Sequence, residues 1–203
     1  MNPVVYIVDD DEGLRNSLSW LVSSAGLESL AFGSAADFLK AVSRDRPACL
    51  VLDVRMPEMG GFEVQQILIK ELRHMPIIFV SGHGDIPMTV RAMRDGAFDF
   101  VEKPYNSQAI LERIQEALRV AHERFERYRK HQALEKRLGM LSPREREVLE
   151  RVVAGKSSKV IAQELNVAVK TIEIHRSNLR EKLGSASLAE LFTEMLTHFS
   201  DRH

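Results

Sequence analysis

The sequence predicts an α/β protein built on a doubly wound, parallel five-stranded sheet, followed by a second, smaller all-α domain. Three observations carry this expectation. Over residues 1–105, five short apolar runs alternate with longer amphipathic stretches, roughly 20–25 residues apart, the spacing of successive βα units. From Ser107 onward the apolar spacing turns helical. Charge also divides along the chain: residues 1–120 carry 12 Lys and Arg against 17 Asp and Glu, a net of −5, whereas residues 121–203 carry 16 against 12, a net of +4. An acidic front and a basic rear imply two parts with different partners, although an excess of +4 is by itself a weak pointer to nucleic acid.

The first run, Val4-Val5-Tyr6-Ile7-Val8, reads as a buried strand, and Leu14, Leu18, Leu21 and Val22 then form an i, i+4, i+7, i+8 helical stripe. Leu27 to Phe32, Cys49-Leu50-Val51-Leu52, Ile77-Ile78-Phe79-Val80 and Phe98 to Val101 supply the other strands. Short buried strands joined by helices imply a parallel sheet covered on both faces. Cys49, the only cysteine, excludes an internal disulfide framework and a cysteine-clustered zinc site, and reads as a small core residue. No apolar run approaches the ~20 residues of a membrane span, and Met1-Asn2-Pro3 shows no basic region of a secretory signal. A cytoplasmic location with no membrane partner is expected.

From Ser107 to about Leu138, Ile110, Ile114, Ala117, Leu118 and Ala121 give an apolar stripe that passes into charged residues without Gly or Pro before Gly139. One long helix that closes the first domain and continues as a linker fits this pattern. Its middle reads as a solvated helix, or alternatively Phe125, Tyr128, Leu134 and Leu138 form a narrow seam for a partner helix. The expected division is residues 1–120, a helical linker over 121–138, and a helical domain over 139–203. That domain opens on a strong helix start, Ser142 as N-cap, Pro143 at the first position and Glu145 three after the cap. Gly155 is placed to stop the helix, and three more helical segments follow, broken near Asn166 and Gly184.

Polar residues punctuate the strand ends. Asp9 and Asp10 follow the first strand, Asp53 ends the third, Ser81 ends the fourth and Lys103 follows the fifth. In an open parallel sheet the carboxyl ends of the strands converge on one crevice, so these residues should meet there. Crowded carboxylates repel, and a hard divalent cation such as Mg²⁺ (or Mn²⁺) relieves that repulsion through oxygen ligation. A carboxylate nucleophile, a cation, an ammonium and a hydroxyl together fit phosphoryl transfer to an aspartate. Each residue also has a blander explanation: Asp9, Asp10 and Asp11 as a helix cap with first-turn acids, Asp53 as a strand-end turn residue, Lys103 as a solvated cation. Their joint placement favours the pocket.

Val8-Asp9-Asp10-Asp11, Leu52-Asp53-Val54-Arg55-Met56-Pro57, Val80-Ser81-Gly82-His83-Gly84 and Glu102-Lys103-Pro104 resemble the motif set of a flavodoxin-like receiver domain. Leu141-Ser142-Pro143-Arg144-Glu145-Arg146-Glu147-Val148-Leu149 through Lys182-Leu183 resembles the LuxR/FixJ-type helix-turn-helix. The combination, with Gly82-His83-Gly84-Asp85, resembles the FixJ subgroup of two-component response regulators. The resemblance implies that Asp53 is the phosphoacceptor, that Asp10 and Asp53 ligate Mg²⁺ directly, that Asp9 acts through a metal-bound water, and that the Arg55 backbone carbonyl is a further ligand. It implies that Lys103 pairs with a phosphoryl oxygen, that Ser81 is the hydroxyl switch, that Phe100 is the aromatic turning inward with it, and that Lys103-Pro104 is cis. His83 reads as an ordinary loop residue. A sensor histidine kinase, double-stranded DNA and RNA polymerase are the implied partners. A homodimer formed on phosphorylation, through residues 86–94 and 98–101, is implied as well, with transcriptional regulation (activation rather than repression) as the outcome.

Ser157 to Leu165 and Val169 to Leu183 read as two helices around an Asn166-containing turn, the second placed to enter a major groove. At about 100° per residue, Ile172, Leu179 and Leu183 face inward, whereas Lys170, Ile174, Ser177 and Glu181 face outward with Glu173 on the shoulder. An exposed isoleucine among polar residues suits a thymine methyl. Lys159, Lys170, Thr171, Arg176 and Lys182 suit phosphates, giving position without sequence reading. His175 lies beside the inward face as a structural residue, and Ala168 is a poor cap. A four-helix interaction module is the plainer alternative. A phosphohydrolase with an aspartyl-phosphate intermediate is the enzymatic rival. It needs a second carboxylate two residues after the nucleophile, where this chain has Arg55, so no enzyme is expected. A receiver with a protein- or RNA-binding output is a third possibility.

Overall fold

The computed structural model describes residues 2–72, 74–82 and 86–184. The chain divides into two compact units, Met1–Tyr128 and Arg129–His203. In the first, β1 (Val4–Val8), β2 (Glu28–Phe32), β3 (Ala48–Asp53), β4 (Ile77–Ser81) and β5 (Asp99–Glu102) form one parallel sheet. The strand order is β2-β1-β3-β4-β5, so the chain winds one way from β1 and the other way from β3. The crevice outside the carboxyl ends of β1 and β3 is the switch point where such sheets place ligands.

Alternation along the strands splits the core in two. Val4, Tyr6, Val8, Leu50, Leu52 and Phe79 face α2 (Ala35–Ala41), α3 (Gly61–Glu71) and α4 (Ile86–Arg94) through Phe38, Val64, Leu68 and Ala92. Val5, Ile7, Cys49, Val51, Ile78 and Val80 face α1 (Glu12–Ser24) and the first turns of α5 (Ser107–Gly139) through Leu18, Val22, Ile110 and Ile114. Cys49 is fully enclosed, as expected of a small core residue, and burial pushes its thiol pKa strongly upward. β2 begins one residue later than its apolar run because the Leu27 amide closes α1, donating to the Val22 carbonyl at 3.2 Å. Asp11 caps α1 by accepting from the Leu14 amide and Ser34 caps α2 by accepting from Asp37, each supplying an acceptor for a helix-end amide.

The second unit packs the last turns of α5 with α6 (Pro143–Val153), α7 (Ser158–Glu164) and α8 (Val169–Leu183). Leu134, Leu141, Val148, Leu149, Ile161, Ile172, Leu179 and Leu183 make its core. The capping box at Ser142 is present in both directions: Ser142 Oγ accepts from the Glu145 amide at 3.3 Å and Glu145 Oε2 from the Ser142 amide at 2.8 Å. Gly155 adopts φ +76° just after α6, a conformation that favours glycine. Asn166, φ +51°, takes the left-handed position in the turn between α7 and α8, which asparagine tolerates. The helical segment expected beyond Gly184 lies outside the described residues, as do His83, Gly84 and Asp85. Among the described residues no helix is long and apolar enough to cross a membrane.

The partner-helix seam on α5 is corrected by packing. Phe125 is buried and, with Tyr128, surrounds the His74 ring at 5.5 and 4.7 Å between centroids. Leu134 and Leu138 belong to the core of the second unit. All four side chains are spent inside the chain. His74 was not singled out by the sequence. It is buried with Nε2 lacking a hydrogen-bond partner among the described residues, and burial lowers its pKa.

Candidate functional site

The carboxyl ends of β1, β3, β4 and β5 bring the anticipated residues together. Carboxylate oxygens of Asp9, Asp10 and Asp53 lie within 4.8 Å of one another. Asp9 and Asp53 are buried, and Asp10 is exposed at the mouth. Lys103 Nζ bridges the two buried ones, 2.7 Å from Asp9 Oδ2 and 3.3 Å from Asp53 Oδ2. Ser81 is buried at the end of β4, one residue beyond the Asp53–Val80 register pair, and its carbonyl accepts from the Lys103 amide at 2.8 Å. The Lys103–Pro104 bond is cis. Arg55 is exposed, and its amide approaches Asp53 Oδ1 at 3.4 Å. Phe100 on β5 is half-buried and already packs on Phe79, with centroids 6.3 Å apart.

The electrostatics follow from this crowding. Burial raises the Asp53 carboxyl pKa, with the Asp9 charge adding to it and the Lys103 charge opposing it. Burial acts to lower the Lys103 pKa, but the Asp9 and Asp53 carboxylates outweigh it and hold the ammonium charged. Three carboxylates against one ammonium leave two negative charges in excess, the balance a divalent cation neutralises. The oxygen-only donor set suits a hard cation such as Mg²⁺.

Several residues of the pocket were not legible in the sequence. Arg15, from α1, donates through Nη1 to the Asp9 carbonyl at 2.7 Å and the Asp10 carbonyl at 3.2 Å, steadying the acidic turn from below. Tyr105 is half-buried, and burial together with the nearby carboxylates raises its pKa. Gly61 opens α3 directly against β3, where an added Cβ would collide with the Asp53 carbonyl oxygen. The Gly60-Gly61 pair after Met59 was the available signal for this close approach.

In the second unit the inward face of α8 is as expected, with Ile172, Leu179 and Leu183 wholly buried. Lys170, Glu173, Ile174, Ser177 and Glu181 are exposed, as is Lys159 on α7, whereas Thr171 and Arg176 are half-buried. Ile174 leaves 54% of its surface open. Lys182 differs from the other candidates: its Nζ lies 2.7 Å from Glu145 Oε2, so its charge is engaged within the unit. Val160 on α7 and Val169 at the start of α8 are also exposed apolar side chains. His175 is half-buried, with Nδ1 lacking a hydrogen-bond partner among the described residues.

Comparison with known proteins finds relatives of both units. Residues 5–115 match the response regulator receiver domain family, and residues 139–195 match the bacterial regulatory proteins of the luxR family. The chain is 43% identical over 188 residues to Nodulation protein W of Bradyrhizobium diazoefficiens, covering 93% of this chain and 83% of that protein. It is 41% identical over 200 residues to the transcriptional regulatory protein TdiR of Thauera aromatica, covering 97% and 88%. Among solved structures, the response regulator StyR aligns with a TM-score of 0.81 at 41% identity, over 97% of this chain and 100% of that one. Full-length FixJ from B. japonicum aligns with a TM-score of 0.56 at 36% identity, over 97% of each chain.

Proposed function

The chain belongs to the FixJ-type response regulators, which join a receiver domain to a LuxR-family helix-turn-helix, and from that premise we propose that Asp53 accepts the phosphoryl group. The observation that carries this is the buried Asp53 carboxylate, set among Asp9, Asp10 and Lys103 at the sheet's switch point. Asp10, Asp53 and the Arg55 carbonyl would hold Mg²⁺ or Mn²⁺, with Asp9 acting through water. When bound, the cation supplies charge neutralisation for the carboxylates and for the transferred phosphoryl group.

The remaining chemistry belongs to the chain. An Asp53 oxygen attacks the phosphorus of a phosphohistidine on the sensor kinase; a P–O bond forms as the P–N bond breaks, and the imidazole leaves. Lys103 gives up its pairing with Asp53 to meet a phosphoryl oxygen, and the Ser81 hydroxyl donates to another. Phe100 then follows Ser81 inward, and α4 with β5 becomes the surface of a homodimer. The exposed Ile86, Val90 and Met93, spaced along one face of α4, support that surface.

Residues 1–120 act as receiver, 121–138 as helical linker and 139–203 as output. In the output domain α8 enters the major groove, Ile174 and Glu173 with Ser177 facing base edges. Lys159, Lys170, Thr171 and Arg176 hold phosphates; Lys182, held by Glu145, serves the fold instead. The dimer presents two such helices to two half-sites and regulates transcription together with RNA polymerase, as an activator.

The test is chemical. With Mg²⁺ and acetyl phosphate the protein should gain one phosphoryl mass, Asp53→Asn should gain none, and chelation should abolish the gain. Equal labelling of Asp53→Asn would remove the assignment.

A further inference from the structure

α4 must carry the response outward, yet Ala92 is its one fully enclosed residue, and Ile86, Val90 and Met93 are exposed. Met88 packs against the sheet core from the middle of the helix, and α3 holds its C-terminal end. Gln65, in the middle of α3, is wholly buried. Its Nε2 donates to the carbonyls of Ala92 and Asp95, each at 3.2 Å. Both carbonyls lie at the end of α4, where helix carbonyls lack intrahelical donors; that of Ala92 also accepts from the Ala97 amide at 3.0 Å, so the glutamine is its second donor. Two carbonyl acceptors require the NH₂ side of the amide at that place, which sets its orientation. Oε1 is then left without a hydrogen-bond partner among the described residues. An uncompensated buried acceptor is unfavourable, so packing alone would favour a leucine or methionine here.

A second contact reinforces the first. One turn earlier on α3, the Phe62 ring lies under the Arg91 guanidinium, whose carbon is 4.8 Å from the ring centroid. Arg91 Nε is also 3.8 Å from Asp95 Oδ2. α3 therefore grips the last turn of α4, and the same helix begins at Gly61, pressed against the Asp53 backbone. One short element touches the acidic pocket at its start and fastens the end of α4 from its middle.

We propose that Gln65 is a positioning residue for the response. It pins the C-terminal end of α4, so that a displacement begun at Ser81, on the strand that precedes α4, swings the N-terminal end. The pivot role rests on phosphorylation of Asp53; the pin itself does not.

Amide hydrogen exchange on the full chain tests the pin. In Gln65→Met, which keeps the length but loses both donors, exchange over Arg91–Ala97 should quicken tenfold or more while β3 amides keep wild-type rates. Gln65→Asn, too short to reach both carbonyls, should do the same with an amide retained. Unchanged exchange over Arg91–Ala97, or a rise that β3 shares equally, overturns the pin. With Mg²⁺ and acetyl phosphate, Gln65→Met should take up the phosphoryl group like wild type, yet its gain in dimer association should fall at least threefold. A labelled variant that dimerises like wild type overturns the pivot. If wild type itself takes no label, the Asp53 assignment fails, and the exchange measurement still decides the pin.

Discussion

Glu145 caps α6 through the Ser142 amide and also meets Lys182 near the far end of α8, so one buried carboxylate fastens two helices. The Lys182 ammonium and the Ser142 amide hold its pKa down to about 2, against an ordinary 4.5. A depressed folded-state pKa contributes stability that is complete above the unfolded value and is lost as pH falls through the folded one. The second unit should therefore lose this contribution between about pH 4.5 and about pH 2. Glu145→Gln should lower stability at neutral pH by about 1 kcal/mol and flatten the acid dependence in that window, read by denaturant titration at several pH values. An unchanged acid profile would falsify the pairing. Asp9, Asp53, Ser81 and Lys103 could be read from the sequence because strand ends converge by topology alone. Arg15, Gln65 and the engagement of Lys182 could not, because each depends on which side chain of one helix reaches a particular atom of another element. Only packing settles that.

At the scale of the element, the proposed DNA-facing side of α8 calls for two kinds of contact. Lys170→Ala should weaken binding to all duplexes about equally and flatten the salt dependence by about one unit, because one phosphate contact and its released counterion are gone. Ile174→Ala should keep the salt slope and cost about 1–3 kcal/mol on the preferred sequence alone. Binding to specific and scrambled duplexes at several salt concentrations separates the two. Since Ile174 is more than half exposed, a variant that instead unfolds the domain would contradict the structure as well as the assignment. On the other unit, the proposed coupling of α4 and β5 to Ser81 has its own test. Ser81→Ala should be phosphorylated yet shift towards dimer several-fold less than wild type in sedimentation, and a full shift would remove the hydroxyl from the pathway. Helical phase made the faces of α8 legible because Ile172, Leu179 and Leu183 repeat with its period. The same phase misled on α5, where Phe125 and Leu134 satisfy any apolar partner equally, and the partners turned out to be His74 and the second core.

For the whole molecule, the regularly spaced short apolar runs before Ser107 and the helical spacing after it made two architectures visible in one chain. Each architecture leaves stability unclaimed at its proposed site: the first buries mutually repelling carboxylates, and the second starts α8 after Ala168, an N-cap whose side chain makes no capping hydrogen bond. The uncapped start matters for thermal adaptation. Ala168→Asp should stabilise the second unit by about 1 kcal/mol and raise its melting temperature by several degrees. It would also place a carboxylate at the end of α8 proposed to approach phosphates, so DNA affinity should fall most steeply at low salt. Selection for heat resistance alone would find this substitution readily and would yield a sturdier protein that no longer regulates. Paired melting and binding curves would show that exchange; a gain in both would mean that the start of α8 stands clear of the DNA.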